Sequence, residues 1–294
     1  MTTDWAFWAT ILVGLETVKT ELVEVHPVPR EPAILVRTSN QARAVVLLHG
    51  TRTRVFSASR VAMPLTERWQ RAGSALVEEL SVDSDVYAFS YAQTAPVREI
   101  ARAPGLLGAI EKLRKLGYTE IVLLGHSAGG VIARHLVEDS PDCGVTKVIQ
   151  VFSPNDGSGW AHLSWAARKS QRPFLESLRQ ASCRERRLGC RIPEKVAFVC
   201  VIGDLLGIGD GIVSDVSQWP EDLRRQGVPA VCLRATHAAI RSRSAARTLA
   251  GLVREPPQRR WSAKRVAEAE KAFLSRPVAK SLSGWLRRAA RIGN

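Results

Sequence analysis

At 294 residues the chain can bury a large core, and its length suits one α/β domain with appendages better than two domains. Its five cysteines (143, 183, 190, 200 and 232) are too few and too scattered for a disulfide framework, and no Cys-x-x-Cys pair or His/Cys cluster suggests a metal site. The net charge of +14 is concentrated in residues 160–191, with eight Lys/Arg against two Glu, and in residues 254–294, with eleven against three, so the rest is nearly neutral.

Residues 5–15 are apolar, but no cationic region precedes them, Asp4 intervenes and no small-residue cleavage site stands before Glu16. A signal peptide is therefore disfavoured, and eleven residues are too few to span a bilayer. The stretch reads as an N-terminal helix packed on the body; a cytoplasmic location follows, with peripheral membrane contact as the alternative. Residues 21–28 and 33–38 are expected as short strands separated by the helix-breaking Pro27, Pro29 and Pro32. A buried strand at 44–48 runs into His49, Gly50 and Thr51. The pattern then predicts a helical region at about 65–80, a strand at 86–91 and a helix at 106–116 closed by Gly117.

The next stretch joins an apolar strand, Ile121 to Leu124, to a helical pattern in Val131, Ile132 and Leu136. Between them Gly125-His126-Ser127-Ala128-Gly129 has the form G-x-S-x-G, which holds a serine at a sharp strand-to-helix corner. The N–H groups and dipole of the following helix favour negative charge beside that serine. A strand at 145–152 leads to Ser153-Pro-Asn-Asp-Gly-Ser158, and a basic insertion follows at 159–192. Alternation resumes with a strand at 196–202, a glycine-rich loop at 203–211, a short helix at 222–225, a strand at 230–233 ending near His237, and a closing helix at 238–253.

Strands alternating with helices predict a mostly parallel central sheet with helices on both faces, and ligands beyond the carboxyl ends of its strands. Those ends carry His49 to Thr51, Ser127, Asp156, Asp204, Asp210 and His237. The expected organisation is an N-terminal helical or extended segment at 1–30, an α/β domain at 31–253 with a lid-like insertion at 159–192, and a basic helical extension at 254–294.

Over roughly residues 44–253 these stretches together resemble the α/β-hydrolase superfamily, in particular its bacterial lipases and esterases. Residues 125–134, Gly-His-Ser-Ala-Gly-Gly-Val-Ile-Ala-Arg, are similar to the nucleophile region of those enzymes, and His49-Gly50-Thr51 resembles their oxyanion segment. Residues 153–158 are similar to the motif after the next strand, and Asp210-Gly211-Ile212-Val213 resembles the loop of the triad acid. The resemblance implies an α/β-hydrolase fold and a cofactor-free serine hydrolase that cleaves small-molecule or lipid carboxylic esters through an acyl-enzyme.

A serine hydroxyl is a weak nucleophile until a histidine accepts its proton, and that histidine needs an acid to fix its tautomer. In the α/β-hydrolase fold the partners follow in the order serine, acid, histidine. Ser127, Asp210 and His237 have that order. Of the six histidines, His237 alone lies downstream of the acid loop. His26 precedes the core, and His135 and His162 are expected on the surface. His126 flanks the serine with its side chain directed elsewhere, while His49 shapes the oxyanion loop. For the acid, Asp210 is preferred to Asp204, whose other role is to cap a turn, and Asp215 lies further on. The oxyanion donors implied are the backbone N–H groups of Ala128 and Thr51.

Two segments admit a second reading. Trp160, Leu163, Trp165, Phe174, Leu175 and Leu178 either line an apolar acyl pocket or pack a satellite helix onto the core. In the tail, Leu282, Trp285, Leu286 and Ala289 recur at helical spacing among Arg287, Arg288 and Arg291, which suits an anionic membrane surface or a solvated, partly docked tail. No nucleic-acid recognition motif accompanies the charge. The alternative function is a catalytically inactive α/β-hydrolase scaffold that binds anionic membrane or nucleic acid through this tail.

Overall fold

The computed structural model describes residues 18–27, 37, 39–52, 61–159, 169–179, 182, 190–205, 207, 209–256 and 260–274. The expected helix at 5–15, nearly all of the strand at 33–38, Trp160, His162, Leu163, Trp165 and the tail pattern at 282–291 lie outside the described residues.

The described chain begins with β1 (Thr20–His26) and β2 (Arg43–Leu48). A short 3-10 turn, Arg68–Gln70, precedes α1 (Ala75–Leu80). The continuous helix expected at 65–80 is thus corrected to a turn and a shorter helix. The Ser74 side chain accepts the Val77 N–H and fixes the helix start there. Then come β3 (Asp85–Tyr91), α2 (Val97–Arg102) and α3 (Pro104–Lys115). Pro104 suits the first turn of α3, where its missing N–H would have no helical partner.

β4 (Glu120–His126) feeds α4 (Ala128–Asp139) directly through Ser127. After β5 (Lys147–Val151) the insertion contributes α5 (Arg172–Glu176). The chain continues through β6 (Ala197–Gly203), α6 (Asp215–Gln218), α7 (Glu221–Arg225) and β7 (Ala230–Leu233). A 3-10 turn at His237–Arg241 comes before α8 (Arg243–Arg254), so the closing helix starts later than its apolar pattern indicates. α9 (Ala263–Phe273) follows.

The seven strands form one sheet in the order β1-β3-β2-β4-β5-β6-β7. β1 pairs antiparallel with β3, and every other pairing is parallel. All six parallel strands therefore end at the same edge, where β2, β4, β6 and β7 deliver the polar loops. β1 draws residues of the expected N-terminal segment into the sheet.

Strand alternation splits the core between the two sheet faces. Val46, Leu48, Phe89 and Leu123 pack with Ile100, Ile110 and Ile132, under α2, α3 and α4. On the other face Val45, Leu47, Val122 and Leu124 meet Leu76, Leu80, Leu249 and Val253 of α1 and α8. Phe174 and Leu178 of the insertion are buried in the first of these cores, and Leu175 packs partly buried against it. These three residues pack the body.

α9 docks as well. Trp261 meets Trp219 edge-on at 6.2 Å between ring centroids, Phe273 lies 6.3 Å from the same ring, and Val266 is buried. Arg224 and Glu270 form an ion pair across this contact.

Candidate active site

Ser127 sits where β4 turns into α4, with φ 53° and ψ −125°. A non-glycine residue at positive φ costs about 1–3 kcal/mol and persists only where its surroundings hold it. Here the Ser127 N–H donates to the Val151 carbonyl at 2.8 Å, and its own carbonyl accepts the Gly130 N–H at 3.0 Å. The crossing is tight: a Cβ added at Gly129 would lie 2.4 Å from the Leu48 carbonyl oxygen. Only glycine fits there. Ala128 supplies the first helical N–H of α4, which belongs to the first turn and has no intrahelical acceptor.

Gly50 lies directly against the serine, since a Cβ added there would be 2.7 Å from the Ser127 Cβ. The Gly50 carbonyl accepts from Gln93 Nε2 at 2.9 Å and lies 2.9 Å from His49 Nδ1. Across the trans peptide the Thr51 N–H points the opposite way, away from those partners.

His49 is fully buried and stacked on Tyr91, 4.1 Å between ring centroids. Burial and the neighbouring Arg52 guanidinium push its pKa down to about 3. The ring is therefore neutral, with Nδ1 donating to Gly50 and Nε2 accepting from Arg52 Nη2 at 2.7 Å. Gln93 Oε1 accepts the Arg52 N–H at 3.0 Å, and Gln171 Nε2 donates both to the Arg52 carbonyl and to Gln93. A buried polar network thus fixes residues 49–52 from behind. Arg52, Gln93 and Gln171 are not singled out by the sequence; for Arg52 and Gln93 the available signal is a polar side chain just beyond the end of a mostly apolar strand, and Gln171, in the insertion, has no such signal.

On the opposite side, His237 Nδ1 lies 2.7 Å from Asp210 Oδ2. The His237 N–H also donates to the Asp210 carbonyl at 3.0 Å. Asp210 Oδ1 accepts the N–H groups of Ile212 and Val213 at 2.9 and 2.8 Å, which orients the buried carboxylate. Asp204 instead ties down the glycine-rich loop, its Oδ1 accepting from the Gly207 and Gly209 N–H groups at 2.5 and 3.4 Å. Asp215 opens α6 and bonds the Val216 N–H at 2.7 Å. Among the described residues no hydrogen bond joins the Ser127 hydroxyl to His237.

Two histidines differ from expectation. His126 does not point away from the site: its Nε2 is 3.0 Å from the His237 carbonyl, and the two rings lie 4.8 Å apart. Burial and the neighbouring His237 hold its pKa down to about 3. His135 is buried rather than on the surface, because α4 is covered along most of its length. Burial lowers its pKa although Glu138 stands 3.5 Å away. On the same helix, buried Arg134 is paired with Glu138 and with Asp222 of α7.

A surface groove of about 630 Å³, lined in part by Leu22, Met63, Phe89 and Ala109, opens at the β1 edge and includes none of Ser127, Asp210 or His237. Among the described residues no three His, Cys, Asp or Glu side chains gather as a metal ion requires. Nor is any described helix long and apolar enough to cross a membrane.

No protein-family model and no curated protein sequence matches the chain. Solved structures do. The mature form of the Bacillus licheniformis lipase BlEst2 is similar with a TM-score of 0.56 and 14% identity, covering 80% of this chain and 97% of that one. Its propeptide form gives a TM-score of 0.59 at 14% identity, covering 83% of this chain and 55% of that one. Aspergillus fumigatus lipase B gives 0.52 at 16% identity, covering 79% and 59%. The chain has the α/β-hydrolase fold.

Proposed function

We propose that this α/β-hydrolase fold is a serine hydrolase that cleaves carboxylic esters through an acyl-enzyme on Ser127. The observation that carries the reading is the His237–Asp210 pair, 2.7 Å from Nδ1 to Oδ2, presented at the strand edge that also presents Ser127. Asp210 accepts a hydrogen bond from Nδ1–H, which leaves the Nε2 lone pair of His237 free to act as base.

The reaction then runs in two halves. Ser127 Oγ attacks the ester carbonyl as its proton passes to His237 Nε2, and the tetrahedral oxyanion takes hydrogen bonds from the Ala128 and Thr51 N–H groups. Collapse breaks the bond to the alcohol, which leaves with the proton from His237. Water, deprotonated by His237, attacks the acyl carbonyl and releases the acid and the serine. No cofactor is needed.

The exposed apolar side chains of Leu205, Ile212 and Val216 lie on and beside the loop of Asp210, which suits an ester with an apolar acyl chain. The inactive-scaffold reading has less support. The described part of the basic extension is docked rather than free: Trp261 and Phe273 pack on Trp219, while Lys264, Arg265 and Lys271 stay exposed.

The test is covalent. A fluorophosphonate probe should attach to the Ser127 peptide in the wild type and not in Ser127→Ala, as located by mass spectrometry. An unlabelled wild type, under conditions that label a known serine hydrolase, removes the proposal. A series of p-nitrophenyl esters of increasing acyl length then reads the pocket.

A further inference from the structure

We propose that His126 is a positioning residue that ties His237 to the nucleophile strand, an inference that rests on the reading of Ser127 and His237 given above. The hydrogen bonds of His237 to the acid loop both go to Asp210: its N–H to the Asp210 carbonyl at 3.0 Å and its Nδ1 to Oδ2 at 2.7 Å. Asp210 stands in a loop beyond β6, at the far side of β5 from the serine. By themselves these bonds fix His237 to its acid without fixing it to Ser127. The hydrogen bond from His126 Nε2 to the His237 carbonyl, 3.0 Å, makes that second connection, one residue before Ser127.

A carbonyl oxygen only accepts, so His126 Nε2 must carry the proton. The ring is partly buried and kept neutral by desolvation and by His237, which makes Nε2–H a donor that persists through the neutral range. Its own orientation is over-determined. Trp69 and Phe152 meet the ring edge-on at 6.0 and 6.2 Å, and a Cβ added at Gly50 would lie 3.1 Å from His126 Nδ1. Phe152, itself at φ 55°, also reaches the His237 ring at 6.3 Å. One side chain thus touches the serine corner, the segment that carries Thr51 and the loop that carries His237. A leucine of similar volume would fill this space and hold nothing.

The expected size follows from geometry, since a displacement of about 1 Å between reacting groups costs up to about 10²-fold in rate. Three substitutions separate ring from donor. H126F keeps a ring and loses the donor. His126→Gln places an amide nitrogen the same number of bonds from Cβ as Nε2, and His126→Asn carries one that falls short. Two readouts are needed: kcat and KM on a p-nitrophenyl ester, and the low-field proton resonance of the His237–Asp210 hydrogen bond.

In H126F and His126→Asn, kcat should fall about 10- to 100-fold with KM changed less than about twofold, and the resonance should broaden or disappear. His126→Gln should recover most of the lost rate and the resonance. Wild-type kcat in H126F overturns the proposal. So does an equal loss in Asn and Gln that follows a fall in thermal midpoint, the mark of a packing residue. Should H126F not fold, the Asn and Gln pair carries the comparison. The resonance needs no turnover: a wild type that ignores the fluorophosphonate probe fails as a hydrolase, while the effect of His126 on the His237 resonance still stands or falls alone.

Discussion

The two sides of Ser127 are held in different ways. On one side, residues 49–52 rest on a buried network of His49, Arg52, Gln93 and Gln171, drawn from the ends of β2 and β3 and from the insertion. On the other, His237 is held by Asp210, by the carbonyl bond from His126 and by the packing of two rings. The first arrangement is part of the core, so disturbing it costs folding free energy and rate together. The second sits on loops at the sheet edge, where His237 is partly exposed although Asp210 is buried, so altering its polar groups costs less folding free energy than disturbing the first. In the proposed mechanism, stability and turnover are therefore coupled on the oxyanion side and separable on the acid–base side.

The largest expected effect lies between the two sides. Ser127→Ala should lower turnover by about 10⁶-fold if serine, histidine and acid act as a unit, with urea unfolding little changed because alanine keeps the Cβ at the corner. On the acid–base side, Asp210→Asn should cost about 10⁴-fold, because an amide no longer selects the His237 tautomer with a free Nε2. Asp204→Asn keeps the oxygen that accepts from Gly207 and Gly209 and should cost far less. If the two aspartates exchange effects, the assignment of the acid is wrong.

On the oxyanion side, Gln93→Leu strands the Arg52 N–H in the interior and removes one of the two acceptors of the Gln171 amide. It should lose about 1–3 kcal/mol of stability together with about 10- to 100-fold in kcat. A rate loss without a shift in the urea midpoint would erase the contrast between the sides.

At neutral pH the smallest effect is that of protonation, which grows only in acid. His49 and His126 have folded pKa values of about 3 against an ordinary value of 6.5. Above 6.5 both states hold these rings neutral and the groups contribute nothing. Below it the unfolded chain takes up protons that the folded chain refuses, so stability falls as pH drops from 6.5 towards 3. Each ring contributes a slope of up to about 1 kcal/mol per pH unit, and His126→Gln should remove its share in urea titrations across that window.

The sheet was legible because β2, β4 and β6 are apolar runs between polar, glycine-bearing ends, the signature of parallel strands buried on both faces. The corner at Ser127 was legible for a related reason: its glycines are demanded by backbone contacts close in sequence and by one crossing strand. What escaped depends on non-local partners. His135 read as a surface residue because nothing in its neighbourhood announces how completely α4 is covered. Gln93 and Gln171 meet 78 residues apart in sequence, beyond the reach of any periodicity.

His126 is the instructive miss. Val122 and Leu124 of β4 face α1 and α8, and period-two alternation puts His126 on that same side, where the chain passes through His237 on its way into α8. Attention to strand parity would have placed it.

The central claim is an acyl group on Ser127, and it can be weighed directly. Mix the protein with a p-nitrophenyl ester, quench in acid during turnover, digest and weigh the peptide that contains Ser127. The expected result is a mass increase equal to the acyl group on that peptide, growing in Asp210→Asn only as slowly as turnover and absent in Ser127→Ala. Ester cleavage at an undiminished rate by Ser127→Ala, or an acyl group found on another residue, would contradict it.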